Sequence, residues 1–233
     1  MIGKLEYNNV LSSDFGVYLS GTGTYNAPER DTEAISIPGK DGDLIVDNHR
    51  FKNIKVKYPA FIRAKFKEHT DEVRAWLLKD TNYHRLEDSY HPEEYRLARY
   101  VGPLDFNTRA LNMSGEFDLE FDCKPQRFLK EGEMPIYIEK PLTIYNPTSF
   151  EALPAIRVYG TGGTLFIGNV VMDLKEIDEY VDIDCELQNA MKGTANKNNT
   201  ISNAFPKLYA GENGVKFEGN IERIEIIPRW WTI

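Results

Sequence analysis

Three groups of residues carry side chains that could do chemistry. The first is an acidic run, Asp178, Glu179, Asp182, Asp184 and Glu186, within DEYVDIDCEL. Clustered carboxylates can ligate calcium or supply the acid and base of glycoside hydrolysis. Here, however, Val181, Ile183 and Cys185 alternate with Asp182, Asp184 and Glu186. That alternation describes a strand with one wet face. The second group is GTGG, Gly160 to Gly163. A phosphate-binding loop would need a following Lys-Ser/Thr and a helix N-terminus, and a strand pattern follows instead. A turn is expected there. The third group is His49, His69, His84 and His91, none of them in a metal-binding spacing such as HExxH. His84 and His91 flank HRLEDSYHPEE, read as a solvated loop. No GxSxG, Ser/His/Asp or Cys/His signature appears. No catalytic, cofactor-binding or metal-ligating residue is therefore nominated, and no cofactor is expected.

A basic strip poses a different question. In IPGKDGDLIVDNHRFKNIKVKYPAFIRAKF, Lys55, Lys57, Arg63, Lys65 and Lys67 fall between apolar residues. Such a strip could grip a phosphate backbone or form the solvated side of a strand. The formal charge of the chain is −8, with 19 basic and 21 acidic residues in 1–130 and 9 and 15 in 131–233. An acidic protein is a poor adhesive for nucleic acid, and no sequence-specific nucleic-acid binding is expected.

The elements that hold these residues are mostly strands. Ile54, Val56, Tyr58, Ala60, Ile62, Ala64 and Phe66 alternate with polar residues, and Pro59 marks an edge or a bend. In GEFDLEFDCKP, Phe117, Leu119, Phe121 and Cys123 share one face, with Glu116, Asp118, Glu120 and Asp122 on the other. If the lysine strand and the acidic strand are neighbours, opposite charges meet across them. Asp41-Gly42, Gly168-Asn169 and Asn213-Gly214 read as hairpin turns, and 190–203 as a polar loop. One helix is expected over 70–80, capped by Thr70, with Val73, Trp76 and Leu77 inward. Trp230 and Trp231, adjacent on a strand, point to opposite faces, one into a core and one outward.

With 233 residues, one large or two small domains are expected. A boundary falls in KPQRFLKEGEMPIYIEKP, giving domains 1–135 and 136–233. Short strands with frequent turns make the class mainly β, built as β-sandwiches. The two cysteines, Cys123 and Cys185, are expected as buried thiols in a reducing compartment. No signal-peptide run and no membrane span is read.

The order of these motifs resembles the distal tail proteins of long-tailed, non-contractile bacteriophages and related prophages. The resemblance is carried by Gly39, Asp41, Gly42, Trp76, Leu77, Tyr95, Ala98, Arg99, Phe121, Cys123 and Pro125. Later stretches join it: NPTSFEALPAIRVYGTGGTLFIGN, VDIDCELQNA, NAFPKLYAGENGVKFEG and IPRWW. Lys40 stands where the family often has Arg, losing bidentate geometry. The resemblance implies a tail-tube-like N-terminal β-sandwich with one helix and a galectin-like or carbohydrate-module-like C-terminal β-sandwich. It implies a virion component, assembled in the host cytoplasm, that forms a homo-hexameric ring joining the tail tube to the tail tip around a channel for the genome. The implied partners are the tail tube protein, the tail-tip hub or tail-associated lysin, and receptor-binding proteins. Relatives that hold receptor-binding proteins do so with a long inserted arm, for which this chain has no room. The alternative reading is a module that binds host-surface carbohydrate through the C-terminal sandwich.

Overall fold

The computed structural model of the chain describes residues 2–109, 114–202 and 205–233. Its contacts divide it into two compact units, Met1–Arg127 together with Ile233, and Phe128–Thr232. The division between Arg127 and Phe128 falls within the stretch KPQRFLKEGEMPIYIEKP. Both units are mainly β.

The first unit runs β1 (Leu5–Tyr7), β2 (Val10–Leu11), β3 (Val17–Leu19), β4 (Arg30–Ser36), β5 (Asp43–Phe51), β6 (Ile54–Ile62), α1 (Phe66–Leu78), β7 (His84–Asp88), β8 (Glu94–Tyr100), β9 (Asn107–Arg109) and β10 (Ser114–Leu129). Its main sheet has the order β2-β1-β7-β8-β10-β6-β3. The alternation in β6 holds: Ile54, Val56, Tyr58, Ala60 and Ile62 are buried. β10 lies antiparallel beside it, with Phe117 opposite Ala60, Leu119 opposite Tyr58 and Phe121 opposite Val56. Two inward rows thus meet in one core. Pro59 sits where β3 ends. Its carbonyl accepts the Ser20 N–H at 2.8 Å, but with no N–H it cannot return the bond, and the pairing with β3 stops there.

The helix begins earlier than its sequence suggests. Lys65 adopts a left-handed conformation (φ 53°) and turns the chain out of β6, so α1 opens at Phe66. Thr70 lies inside the helix and donates its hydroxyl to the Lys67 carbonyl at 3.0 Å instead of capping. The predicted face does pack: Val73, Trp76 and Leu77 are buried, joined by Phe66. Trp76 donates its indole N–H to the Tyr7 carbonyl at 3.0 Å, satisfying its one polar atom in the core.

The second unit holds β11 (Ile136–Ile138), β12 (Leu142–Asn146), β13 (Ala155–Ile167), β14 (Val170–Leu174), β15 (Tyr180–Asp184), β16 (Asn189–Lys192), β17 (Ala195–Asn196), β18 (Gly211–Ile227) and β19 (Trp231–Thr232). The long strands β13 and β18 pair along nearly their whole length. Their outer halves take different neighbours. Ala155–Tyr159 pairs with β15 and with the end of β18, to which β11 also binds. Gly163–Ile167 pairs with β14 and with the start of β18, to which β12 binds. The register shifts at Tyr159, Gly160 and Gly162, between the two halves. Ile156 and Val158 from one half and Leu165 and Ile167 from the other nevertheless line a single core. A single bulged strand pair therefore supplies both walls of that core.

GTGG lies at this change of register, within β13, and is not a turn. Gly160 and Gly162 have φ of 144° and 145°. A Cβ on Gly160 would stand 2.1 Å from the Asn220 carbonyl oxygen. Gly160 and Gly163 are needed because the backbones of β13 and β18 come too close there for any side chain. Gly168-Asn169 does join β13 to β14 as a two-residue hairpin, with Gly168 at φ 55°. Asn213-Gly214 is not a turn but part of β18. The Asn213 side chain is buried, accepting from the Tyr209 N–H at 2.8 Å and donating to the Tyr209 carbonyl at 2.7 Å. The stretch read as a polar loop from 190 to 203 carries most of the β16–β17 hairpin, while Asn203 and Ala204 lie outside the described residues. Trp230 is in the core, and its neighbour Trp231 stacks on Phe150 at 4.5 Å.

Candidate functional site

The feature of the first unit that its own core leaves unexplained is the β4–β5 hairpin. Among the described residues these strands pair with each other and with no other strand. Ser36 faces Asp43 across a tip that holds Lys40, whose N–H bonds to the Ile37 carbonyl at 3.1 Å. Gly39 and Gly42 at the tip have φ of 80° and 78°, and these are two of the residues that carry the family resemblance. Ion pairs cross the hairpin: Arg30 to Asp47 at 3.4 Å and Arg50 to Asp31 at 2.6 Å. The Arg50 hydrogen bond holds the Asp31 carboxyl below its usual range.

This arm carries apolar side chains into solvent. Leu44 is 50% exposed and Ile45 60%, and Ile35 and Val46 are also exposed. Leu44 and Val46 point to one face with their cross-strand partners Ile35 and Glu33, and Ile45 with Ala34 to the other. An isolated two-stranded hairpin is at best marginally stable in water. One that is apolar on both faces is shaped to be covered on both sides.

The root of the arm is tied to the body. Tyr90 donates its hydroxyl to the Gly21 carbonyl at 3.1 Å, Asn26 donates to the Lys55 carbonyl at 3.2 Å, and the Tyr25 ring meets the His91 ring edge-on at 5.0 Å. On the returning leg, Asn53 donates to the Tyr83 hydroxyl at 2.6 Å and to the Asp122 carboxylate at 3.1 Å.

The two lysines of the basic strip that lie on β6 are already partnered. Lys55 bonds Glu120 at 2.9 Å and Lys57 bonds Asp118 at 2.8 Å, each one step along the diagonal from its register partner. Arg99 extends the row to Asp122 at 2.9 Å. The expected meeting of opposite charges therefore occurs. The strand's lysines face carboxylates of the same chain, not an open basic groove.

The other candidates resolve into local pairs. His49 lies exposed on the arm beside Asp47 at 3.8 Å. His69 bonds Glu72 at 3.0 Å and His84 bonds Asp80 at 2.7 Å, which holds the Asp80 carboxyl low. His91 bonds Asp88 at 3.2 Å. Among the described residues no group of three or more His, Cys, Asp or Glu side chains is placed to hold a metal ion. Cys123 and Cys185 are buried, and burial pushes each thiol up to about 12, so neither is a nucleophile at neutral pH.

Of the acidic run, Asp182 and Asp184 form the wet face of β15, while Asp178, Glu179 and Glu186 lie outside the strand. Asp182 accepts a two-pronged bond from Arg157 on β13, at 2.5 and 2.9 Å. Asp184 accepts another from Arg229, at 3.0 and 2.8 Å, together with the N–H groups of Glu186 and Leu187. Asp178 bonds Lys192 at 2.9 Å. Arg157, Asp182, Asp184, Met191 and Glu225 line an open groove of about 440 Å³ on this face. Two of its carboxylates are thus committed to guanidinium groups, not left as an acid–base pair.

Asp184 gives a pH prediction. Its hydrogen bonds from Arg229 hold its carboxyl below the ordinary value. A carboxylate with a lowered folded pKa contributes stability that is complete above its unfolded pKa, roughly 4, and is lost as pH falls through the folded value. Asp184→Asn therefore lowers the melting temperature of the second unit at neutral pH, and the gap to the parent closes as pH falls through the folded value of Asp184. A series of thermal melts across pH checks this. A gap of constant size would show that the ion pair is not its source.

No family model matches the sequence, and no curated protein matches it. Solved structures do match. The SPP1 Dit protein, described as a paradigm of the hub adsorption apparatus in phages infecting Gram-positive bacteria, superposes with a TM-score of 0.79 at 11% identity, covering 100% of both chains. A chain of the phage P2 baseplate in its activated conformation with Ca superposes at 0.51 and 9% identity, covering 97% of each. A chain of the same baseplate with Sr gives 0.51 and 11%, covering 97% of this chain and 96% of that one. The mainly β, two-unit fold of this chain is the fold of the SPP1 Dit protein from end to end.

Proposed function

We propose that the chain is a structural protein of a phage tail tip, a distal tail protein that works by assembly and not by turnover. The observation that carries this reading is the full-length correspondence with the SPP1 Dit protein, a hub of an adsorption apparatus. The N-terminal domain, taken as residues 1–135, forms a ring of six copies around a channel. The second, the galectin-like unit, stands outside the ring. The ring joins the tail tube protein to the tail-tip hub and to the adsorption apparatus of the virion.

The physics of the arm supports this. A closed ring places each copy's arm against its neighbour by a heterologous contact that returns to its start, so the apolar faces are covered without open-ended polymerisation. Stable contacts of this kind bury at least about 1,200 Å² in total. The pairing of Lys55, Lys57 and Arg99 with carboxylates suits a conduit that must not hold its cargo.

A second reading has one observation in its favour, the groove over β13 and β15 in the second unit. There the chain would bind a host-surface sugar through its C-terminal sandwich.

Particle size tests the first reading. The purified chain, alone or with its tube and tip partners, is expected as six-membered rings with a central hole in negative-stain micrographs. Isolated single copies under all these conditions, with sugar-dependent Trp fluorescence, would replace it with the second.

A further inference from the structure

The second unit is open along one edge. β11 and β12 both lie beside β18, on the side that β13 does not take. Among the described residues neither pairs with any further strand. The backbone of β12 therefore has a free side. The Gly214 carbonyl accepts the Gly168 N–H at 2.9 Å, so Gly214 turns away from Thr143, its partner across the β12–β18 ladder. In an antiparallel pair the residue opposite then turns away too. The N–H and C=O of Thr143, and by alternation those of Tyr145, point out of the sheet edge. No hydrogen bond of these groups is found among the described residues.

Beside this free side the core shows through. Met134, Leu142, Ile144, Tyr145 and Trp230 line a hollow of about 300 Å³. Ile144 and Trp230 belong to the core, while Met134 is 66% exposed, Leu142 46% and Tyr145 67%. Apolar side chains gathered at an unpaired strand edge mark a contact surface. Three exposed carboxylates stand around it with no ion pair among the described residues: Glu131 on the wall of the hollow, Glu139 in the turn from β11 to β12, and Glu212 opposite Tyr145. Lys140 is the one base in that turn.

We propose that β12 takes up one more strand, an extended segment of a different protein that carries apolar side chains between lysines or arginines. Its backbone bonds to Thr143 and Tyr145. Its residue opposite Ile144 points to the core side, as Ile144 does, and fills the hollow. Its basic residues answer Glu131, Glu139 and Glu212. A second copy of this chain does not fit, because β12 laid against its own copy would set like carboxylates against each other. Neither the ring nor the sugar reading uses this edge.

The test uses the full chain and the capped peptide Lys-Val-Lys-Phe-Lys-Val-Lys, whose apolar residues share one face when extended. With the peptide at about 1 mM, hydrogen exchange followed by NMR is expected to slow at least about tenfold at the Thr143 and Tyr145 amides. The same residues in the order Lys-Lys-Lys-Lys-Val-Phe-Val should protect neither amide, and a peptide with glutamates for lysines should not bind. Thr143→Pro keeps the parent's melting temperature, because β18 does not use that N–H, and the peptide no longer protects Tyr145. Glu131→Gln with Glu139→Gln weakens the peptide about tenfold at low salt. Unchanged exchange at both amides in the parent overturns the proposal, as does equal protection by the block-ordered peptide. Protection that grows with protein concentration in the absence of peptide assigns the edge to a second copy, and also overturns it. All these outcomes leave the particle-size test untouched.

Discussion

On the proposed ring, a chain carrying Leu44→Glu and Ile45→Lys is expected to run as a single copy under conditions in which the parent assembles. Both residues sit on the β4–β5 arm, one on each face, and neither contributes to the core of its unit. The substitutions should therefore leave folding nearly intact, within about 0.5 kcal/mol for exposed positions. Each would place a charge where a neighbouring copy is proposed to cover an apolar side chain, and anchors of that kind cost at least about 2 kcal/mol when lost. Two in each of six contacts is more than a ring tolerates. Light scattering on the purified variant and parent checks this, with circular dichroism confirming the fold. If the variant assembles as the parent does, the arm is not the contact between copies.

Gly160→Ala is expected to unfold the second unit at temperatures where the first still melts normally. The added Cβ would lie 2.1 Å from the Asn220 carbonyl oxygen, a distance no real contact shows, at a φ of 144° that side-chain-bearing residues rarely adopt. Backbone on both sides of the clash is locked by pairing to other strands, so little can yield. The cost should reach at least about 4 kcal/mol, at the extreme of single substitutions. Loss of the near-ultraviolet signal of Trp230 and Trp231, or early proteolysis within 128–232, would report it. A melting profile equal to the parent's would mean that β13 and β18 do not approach so closely. Gly168→Ala, at an open hairpin turn with φ 55°, is the control and should cost far less, about 1 kcal/mol.

These cases also show what the sequence made legible. The alternation from Ile54 to Ile62 and in β10 predicted the buried faces, because period two leaves no ambiguity when one face is wet; read on to Phe66 it failed, since β6 ends at Ile62, Ala64 is exposed and Phe66 belongs to α1. The inward face of α1 was equally plain, but its start was not. That depends on Lys65 in a left-handed conformation, which no sequence pattern announces. GTGG and Asn213-Gly214 misled for one reason. Glycine and asparagine signal backbone freedom, and local sequence does not say whether it serves a turn, a close approach of two strands or a buried side-chain bond to the backbone. The arm was readable as two strands. Its isolation was not, although Leu44, Ile45 and Val46 in succession were a signal that neither face stays wet. Arg96, buried on β8, was passed over because an arginine in a strand reads as solvent-facing. Counting in twos from Ala98 and Tyr100 would have put it inside.

The long β18 has one more consequence. Residues 211–227 hydrogen-bond to β11, β12 and β13, the strands that precede them by the greatest distances in the unit. While the chain is being made, none of those earlier strands can complete its ladder until this segment has left the ribosome. Through that interval Ile138, Ile144, Ile156 and Leu165 have no finished shelter, the kind of exposed apolar surface that makes incomplete chains prone to aggregate.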